Sequence, residues 1–242
     1  MRYWFFILSI TVFLSSQETI VATLLQKNIY MKDIDVSEEE KQQSKKEYFT
    51  NDSQGYENWL WESRAQNLSP KIIGSLFSKY VKDNNLTPTK ADIKAFYVDN
   101  KARQQRLKKE YEQKKQQLLK KLEIAKDKEK KDIQFKIENI EYEIETQNMK
   151  VSEWIVSSFI RSWKMNNSMY QKYGGRVIFQ QMGPEPLDAY HAFLKDSEKH
   201  DNFQIKEKKL KKHFWHYFTF DKMHRFYSQE EGKKVMTSPW WK

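Results

Sequence analysis

The chain has 242 residues, 43 Lys and Arg against 33 Asp and Glu, a formal net charge of +10, 15% aromatic residues and no cysteine. The missing cysteines exclude disulfides, thiol nucleophiles and cysteine-based zinc sites, so stability must come from apolar burial. The aromatic content can supply that burial, and the length suits one domain or a domain with an appended arm.

Arg2 is followed by an apolar run of about a dozen residues ending at Leu14, the layout of a secretory signal peptide and too short to span a bilayer. Extending the run through Leu25 would bury Gln17 and Glu18 in hydrocarbon, so residues 1–22 read as a signal peptide cut after Ser16 or Ala22. An uncleaved inner-membrane anchor is the alternative. Processing removes one base, Arg2, and one acid, Glu18, and leaves the surplus positive charge intact. A basic protein exported to the periplasm meets anionic lipid surfaces, envelope protein subunits and unfolded or extended polypeptides, and no nucleic acid.

Residues 23–58 are acidic and turn-rich. Ser37-Glu-Glu-Glu40 opens a short helix and Asn51-Asp-Ser-Gln-Gly55 breaks it, so this stretch reads as a flexible N-terminal segment. Residues 59–242 form the main helical domain. Its first helix, of about three turns, starts with Ser69 as N-cap and Pro70 at the first helical position, and uses Ile72, Ile73, Leu76, Phe77 and Tyr80 as its apolar face. A second starts at Thr87-Pro88, with Asp92 in the positive first turn.

Residues 101–149 contain no glycine or proline and consist largely of helix formers. Residues 101–131 carry 13 bases and 5 acids, a net charge of +8, whereas 132–148 carry one base and five acids, a net charge of −4. Opposite charges suit antiparallel packing, so the stretch reads as a helical hairpin turning near 126–131. Ile133, Ile137, Ile140 and Ile144 form its strictest apolar stripe, and a single long rod is the rival reading.

A core helix follows from Ser152, with Trp154, Ile155, Phe159, Ile160 and Trp163 on a broad apolar face, and stops at Gly174-Gly175. Residues 176–180 form a short strand, Gly183-Pro-Glu-Pro186 turns the chain, and a helix restarts near Leu187. The last helix covers about 206–220 and is anchored by Leu210, Phe214, Trp215, Tyr217 and Phe218, while the terminal Trp240-Trp241 pair plugs the core. The fold class is therefore mainly α, a helical core with a long protruding hairpin and at most one short β element.

Chemistry is sparsely signalled. His213 and His216 share a helix face and His224 lies beyond them, the weak beginnings of a metal site, but the Glu of a His-Glu-x-x-His helix is missing, so no metal is assigned. Glu185, Asp188 and His191 cluster at a helix start, where carboxylates usually serve the helix dipole rather than acid–base catalysis. Gly174-Gly-Arg176 can present amides and a guanidinium to an anion, and Gln180-Gln181 can bind an extended peptide backbone beside the strand. Arg176, Gln180 and Gln181 are therefore the candidate peptide-binding residues. No catalytic residue and no cofactor is assigned.

The helix ending Lys79-Tyr-Val-Lys-Asp-Asn-Asn-Leu-Thr-Pro-Thr-Lys-Ala-Asp-Ile-Lys-Ala-Phe96, the helical insert after it and the return helix through Phe159-Ile-Arg-Ser-Trp163 to Gly175 resemble, in that order, the N-terminal helical domain of SurA-like periplasmic chaperones. The segment from Gly174 to Tyr190, with Phe214-Trp-His-Tyr-Phe218 and Pro239-Trp-Trp241, is similar to a group of uncharacterised exported bacterial proteins of the same layout. The resemblance implies a helical cradle that holds polypeptides. No parvulin domain is recognisable, so isomerase activity is not implied. A structural or accessory subunit of an envelope assembly is the second expectation, and a metal-dependent enzyme the third.

Overall fold

The computed structural model describes residues 19–181 and 183–242. The signal-peptide expectation, as far as residue 18, lies outside the described residues. Among the described residues are eight α-helices and one three-stranded sheet, so the fold is mainly α. None of these helices is long and apolar enough to cross a membrane. The chain divides into two compact units, one of the residues up to Ile72 with Ser197–Tyr217, the other of Ile73–Asp196 with Phe218–Lys242.

The first unit is built around a sheet that the sequence did not announce. Strand β1 (Ile20–Leu24) lies centrally, antiparallel to β2 (Lys27–Tyr30) on one side and to β3 (Phe203–Ile205) on the other, with Ala22 opposite both Ile29 and Ile205. Val21, Ala22 and Phe203 are buried. None of these strands lies at 176–180, where the sequence placed its short β element. A cleavage after Ala22 would cut β1, whereas one after Ser16 would spare it.

Within residues 23–58, expected to be a flexible segment, the stretch around Asp35 is packed. Ile34 and Val36 are buried, and the Asp35 carboxylate between them accepts from Arg64 Nε at 2.9 Å and Lys41 Nζ at 2.8 Å. Helix α1 (Glu38–Glu47) starts at Ser37, whose Oγ accepts from the Glu40 N–H, as its sequence indicates. Helix α2 (Ser53–Asp83) starts sixteen residues earlier than Ser69. Gly55 N–H donates to Asp52 Oδ1 at 2.8 Å in its first turn. Ser69 is no cap: its Oγ donates to the Ala65 carbonyl, and Pro70 sits inside the helix.

In the second unit, helix α3 (Lys90–Ile124) is capped at Thr89, two residues past the expected position. Thr89 Oγ1 accepts from Asp92 N–H, and Asp92 Oδ2 accepts from Thr89 N–H. Ala125 and Lys126 form an extended two-residue turn into α4 (Asp127–Thr146). The two helices are a hairpin, not a rod: Tyr97 OH donates to the Val151 carbonyl at 3.0 Å and Lys115 pairs with Glu141 at 2.7 Å, an antiparallel register. Ile133 and Ile137 are buried at the seam.

Helix α5 (Glu153–Tyr173) ends at Gly174, which has φ +65° and donates to the Tyr170 carbonyl. The strand expected at 176–180 reduces to bridges from Ile178 to Glu185 and Phe226. Helix α6 (Leu187–Lys199) restarts where expected. Helix α7 (Lys208–Thr219) follows β3, and α8 (Gln229–Thr237) is opened by a Ser228/Glu231 capping box. Trp241 is buried against Phe96 and Trp163, at ring separations of 5.1 and 5.9 Å, and is the plug expected of the tail.

Candidate functional site

Few residues of α5 lie on a wholly covered face. Val156, Ile160, Met165 and Met169 are buried, whereas Trp154 is 72% exposed despite its place in the apolar stripe. The stripe is too wide for one neighbouring element to cover. Its uncovered part becomes one wall of a groove of about 560 Å³ within the second unit.

That wall carries Trp154, Ile155, Phe159 and Trp163, with Ser158, Ser162 and Asn166 on adjacent turns. The opposite wall is Val235 and Met236 of α8, then Ser238 and Trp240, and Gly183-Pro184 and Tyr227 close one end. Two amides fix the walls. Asn166 Nδ2 donates to the Pro184 carbonyl at 3.1 Å while its Oδ1 accepts from Tyr190 OH, and Asn167 Nδ2 donates to the Met236 carbonyl at 2.7 Å. Trp240 is 44% exposed, meets Phe159 edge-on at 5.4 Å and lies under the Arg103 guanidinium at 5.2 Å. The buried Trp163 indole N–H has no hydrogen-bond partner among the described residues. Among the described residues, no Asp, Glu, Lys, Arg or His lines the groove. Such a surface offers aromatic area and a few hydroxyls, which suits apolar side chains of varied shape rather than one charged substrate.

The residues singled out in the sequence lie elsewhere. Arg176 is fully engaged: its Nε and Nη2 donate to the two Asp188 oxygens at 2.9 and 3.0 Å and its Nη1 to Asp221 at 2.7 Å, over the Phe226 ring. These partners raise its already high pKa. Arg176 is therefore a brace for the Gly-Gly corner, not an anion ligand. Gln180 accepts the Gly183 N–H through its backbone oxygen, and Gln181 is exposed just before the Gly183-Pro184 wall, but neither lines the groove.

Glu185 is a bridge partner of Ile178 through its backbone. Burial pushes the Asp188 carboxyl up, but Arg176 outweighs it and holds the group below its ordinary value. His191 is stacked on Phe218, and burial, with Lys195 nearby, lowers its affinity for protons. The Asp188 anion is anchored by Arg176, and its charge opposes in part the downward shift of His191. His213 and His216 belong to α7 in the first unit and His224 to the second, and no group of three His, Cys, Asp or Glu able to hold a metal ion occurs among the described residues.

Sequence reasoning placed Trp154 and Trp240 in the core and so missed the groove. The signal that could have found it was present: five large apolar residues between 154 and 163 are more than a single packed stripe requires. No protein-family model matches the chain, and neither a curated protein nor a solved structure is similar to it.

Proposed function

We propose that this chain is an exported, periplasmic, chaperone-like polypeptide-binding protein without isomerase activity, and that the groove between α5 and α8 holds extended apolar segments of non-native proteins. The resemblance of its helical order to SurA-like domains motivated the reading, and the uncharged, aromatic-walled groove is the observation that carries it. A binding surface without charged side chains discriminates little among sequences, which suits varied clients. Serine hydroxyls along the rim can bond a client's backbone while the rings take its side chains.

Trp154 is the ring to remove, since at 72% exposure it contributes little to folding. A tryptophan covers roughly 150–250 Å², so covering its exposed part is worth at most about 4.5 kcal/mol at ~25 cal/mol per Å². Ordering costs reduce this, and about a tenfold loss of client affinity is the expected outcome. The test is suppression of aggregation of a chemically denatured model protein by the intact chain and by Trp154→Ser. Equal suppression by both, at an unchanged melting temperature, rejects the groove as the client site. Deleting 101–149 addresses the accessory-subunit reading, which gains if envelope proteins cease to co-purify while suppression persists.

A further inference from the structure

Helix α4 packs along α3, and Ile133 and Ile137 are buried at that seam. At about 3.6 residues per turn, Phe135 and Tyr142 fall on the opposite face, where they are 64% and 68% exposed. Seven residues separate them, about two turns or 10 Å, so the rings form one patch. Two aromatic rings aligned on one free helix face call for a cover.

The charges along the same face say what covers it. All four bases of α4 lie between 128 and 136, and residues 138–146 hold four acids and no base. Around the rings the order is Lys131, Phe135, Tyr142, Glu145, which is complementary to its own reverse. Lys131 stands four residues before Phe135, and Glu145 three after Tyr142, so each charge is a surface neighbour of its ring. Laid antiparallel on a second α4, Phe135 therefore meets Tyr142 in the register that brings Lys131 to Glu145, and symmetry makes each contact twice. Both charges are exposed, and neither belongs to an ion pair among the described residues. They lie about 20 Å apart along one helix and cannot reach each other.

The other arrangements are disfavoured by the same charges. A parallel pair would set Lys131 on Lys131 and Glu145 on Glu145. The outward face of α3 carries the exposed bases Arg106, Lys109 and Lys120, so it repels a second copy of itself. We infer that α4 is a self-association helix, through which two copies of this chain pair antiparallel about a two-fold axis crossing near Glu138 and Asn139. Four partly exposed rings and their flanking charges cover less than the ~1,200 Å² of a standard interface, so the dimer is weak and depends on concentration. The inference does not depend on the polypeptide-binding reading.

Sedimentation equilibrium of the intact protein tests it: between about 1 μM and about 300 μM the mass should rise from the monomer toward the dimer. Replacing both rings, Phe135→Ser with Tyr142→Ser, should weaken association about tenfold or more without lowering the melting temperature, because both are exposed. Lys131→Glu and Glu145→Lys should each weaken it several-fold. Combined in one chain they should restore it, since the swapped charges again meet their opposites only across an antiparallel pair. A monomer at every concentration overturns the inference, including one whose double-serine variant loses affinity for a denatured protein instead. Wild-type association in the double-serine variant, or a charge swap as weak as either single change, overturns it as well.

Discussion

Gly175→Ala should be among the most damaging single substitutions at the corner that joins α5 to α6. Gly175 has φ +94°, and a Cβ there would lie 2.3 Å from the Asp188 Cβ and 3.0 Å from its Oδ2. The backbone strain alone costs about 1–2 kcal/mol. Moving Asp188 also breaks its contacts with the Arg176 N–H, Nε and Nη2, at 2.8, 2.9 and 3.0 Å. The side chains are 48% and 33% exposed, so each contact is discounted for solvent to roughly 0.5 kcal/mol. The sum is about 3 kcal/mol.

Gly174→Ala is the internal control, since Gly174 has φ +65° but nothing within 4 Å of the added carbon. It should show only the strain. Urea unfolding followed by tryptophan fluorescence measures both, and a double-mutant cycle separates strain from collision. Asp188→Ala alone should cost about 1.5 kcal/mol, but close to nothing in the Gly175→Ala background, where the contacts are already lost. Additive costs would refute the collision with Asp188 as the cause.

Three further outcomes follow from the packing and charge. Asp35, Asp92 and Asp188 are each held below their ordinary value of 3.8, burial being outweighed by Arg64 with Lys41, by Lys164 with Thr89, and by Arg176. The unfolded chain therefore takes up more protons near that pH, so stability is complete above about pH 4 and falls as acid titrates the folded carboxyls, and Lys164→Gln should flatten the Asp92 share of that slope in unfolding curves from pH 2 to 6. Trp241→Ala should cost about 3–5 kcal/mol in urea unfolding because the ring is only 5% exposed, whereas Trp240→Ala, at 44%, should cost about 1 kcal/mol or less. Replacing Leu25-Gln26, with φ +48° and +66°, by Asn-Gly should stabilise the protein by roughly 1 kcal/mol in thermal melts, and a loss of stability would contradict a strained turn there.

The Leu25-Gln26 turn also shows why part of the fold was illegible. A two-residue hairpin turn of this kind is recognised by Asn-Gly or Asp-Gly, and here two residues with full side chains are forced into the left-handed region by strands that pair on both sides. With its turn signal absent, β1 read as the end of an apolar leader, and β3, only three residues long, had too little pattern to stand out. The hairpin of α3 and α4 was legible because charge and apolar period agreed over dozens of residues. Its turn, at Ala125-Lys126, uses no glycine or proline and was placed only approximately. Local signals failed where tertiary contacts overrode them: Ser69-Pro70 has the chemistry of a helix start, yet the helix runs through it because Ala65, Leu68 and Ile72 are buried on both sides of the proline. The candidate site failed for a related reason. Aromatic residues at helical spacing announce an apolar face, but whether another element covers that face is a tertiary property, and Trp154 and Trp163 carry the same sequence signal and line the same groove while one is 72% exposed and the other has its N–H buried.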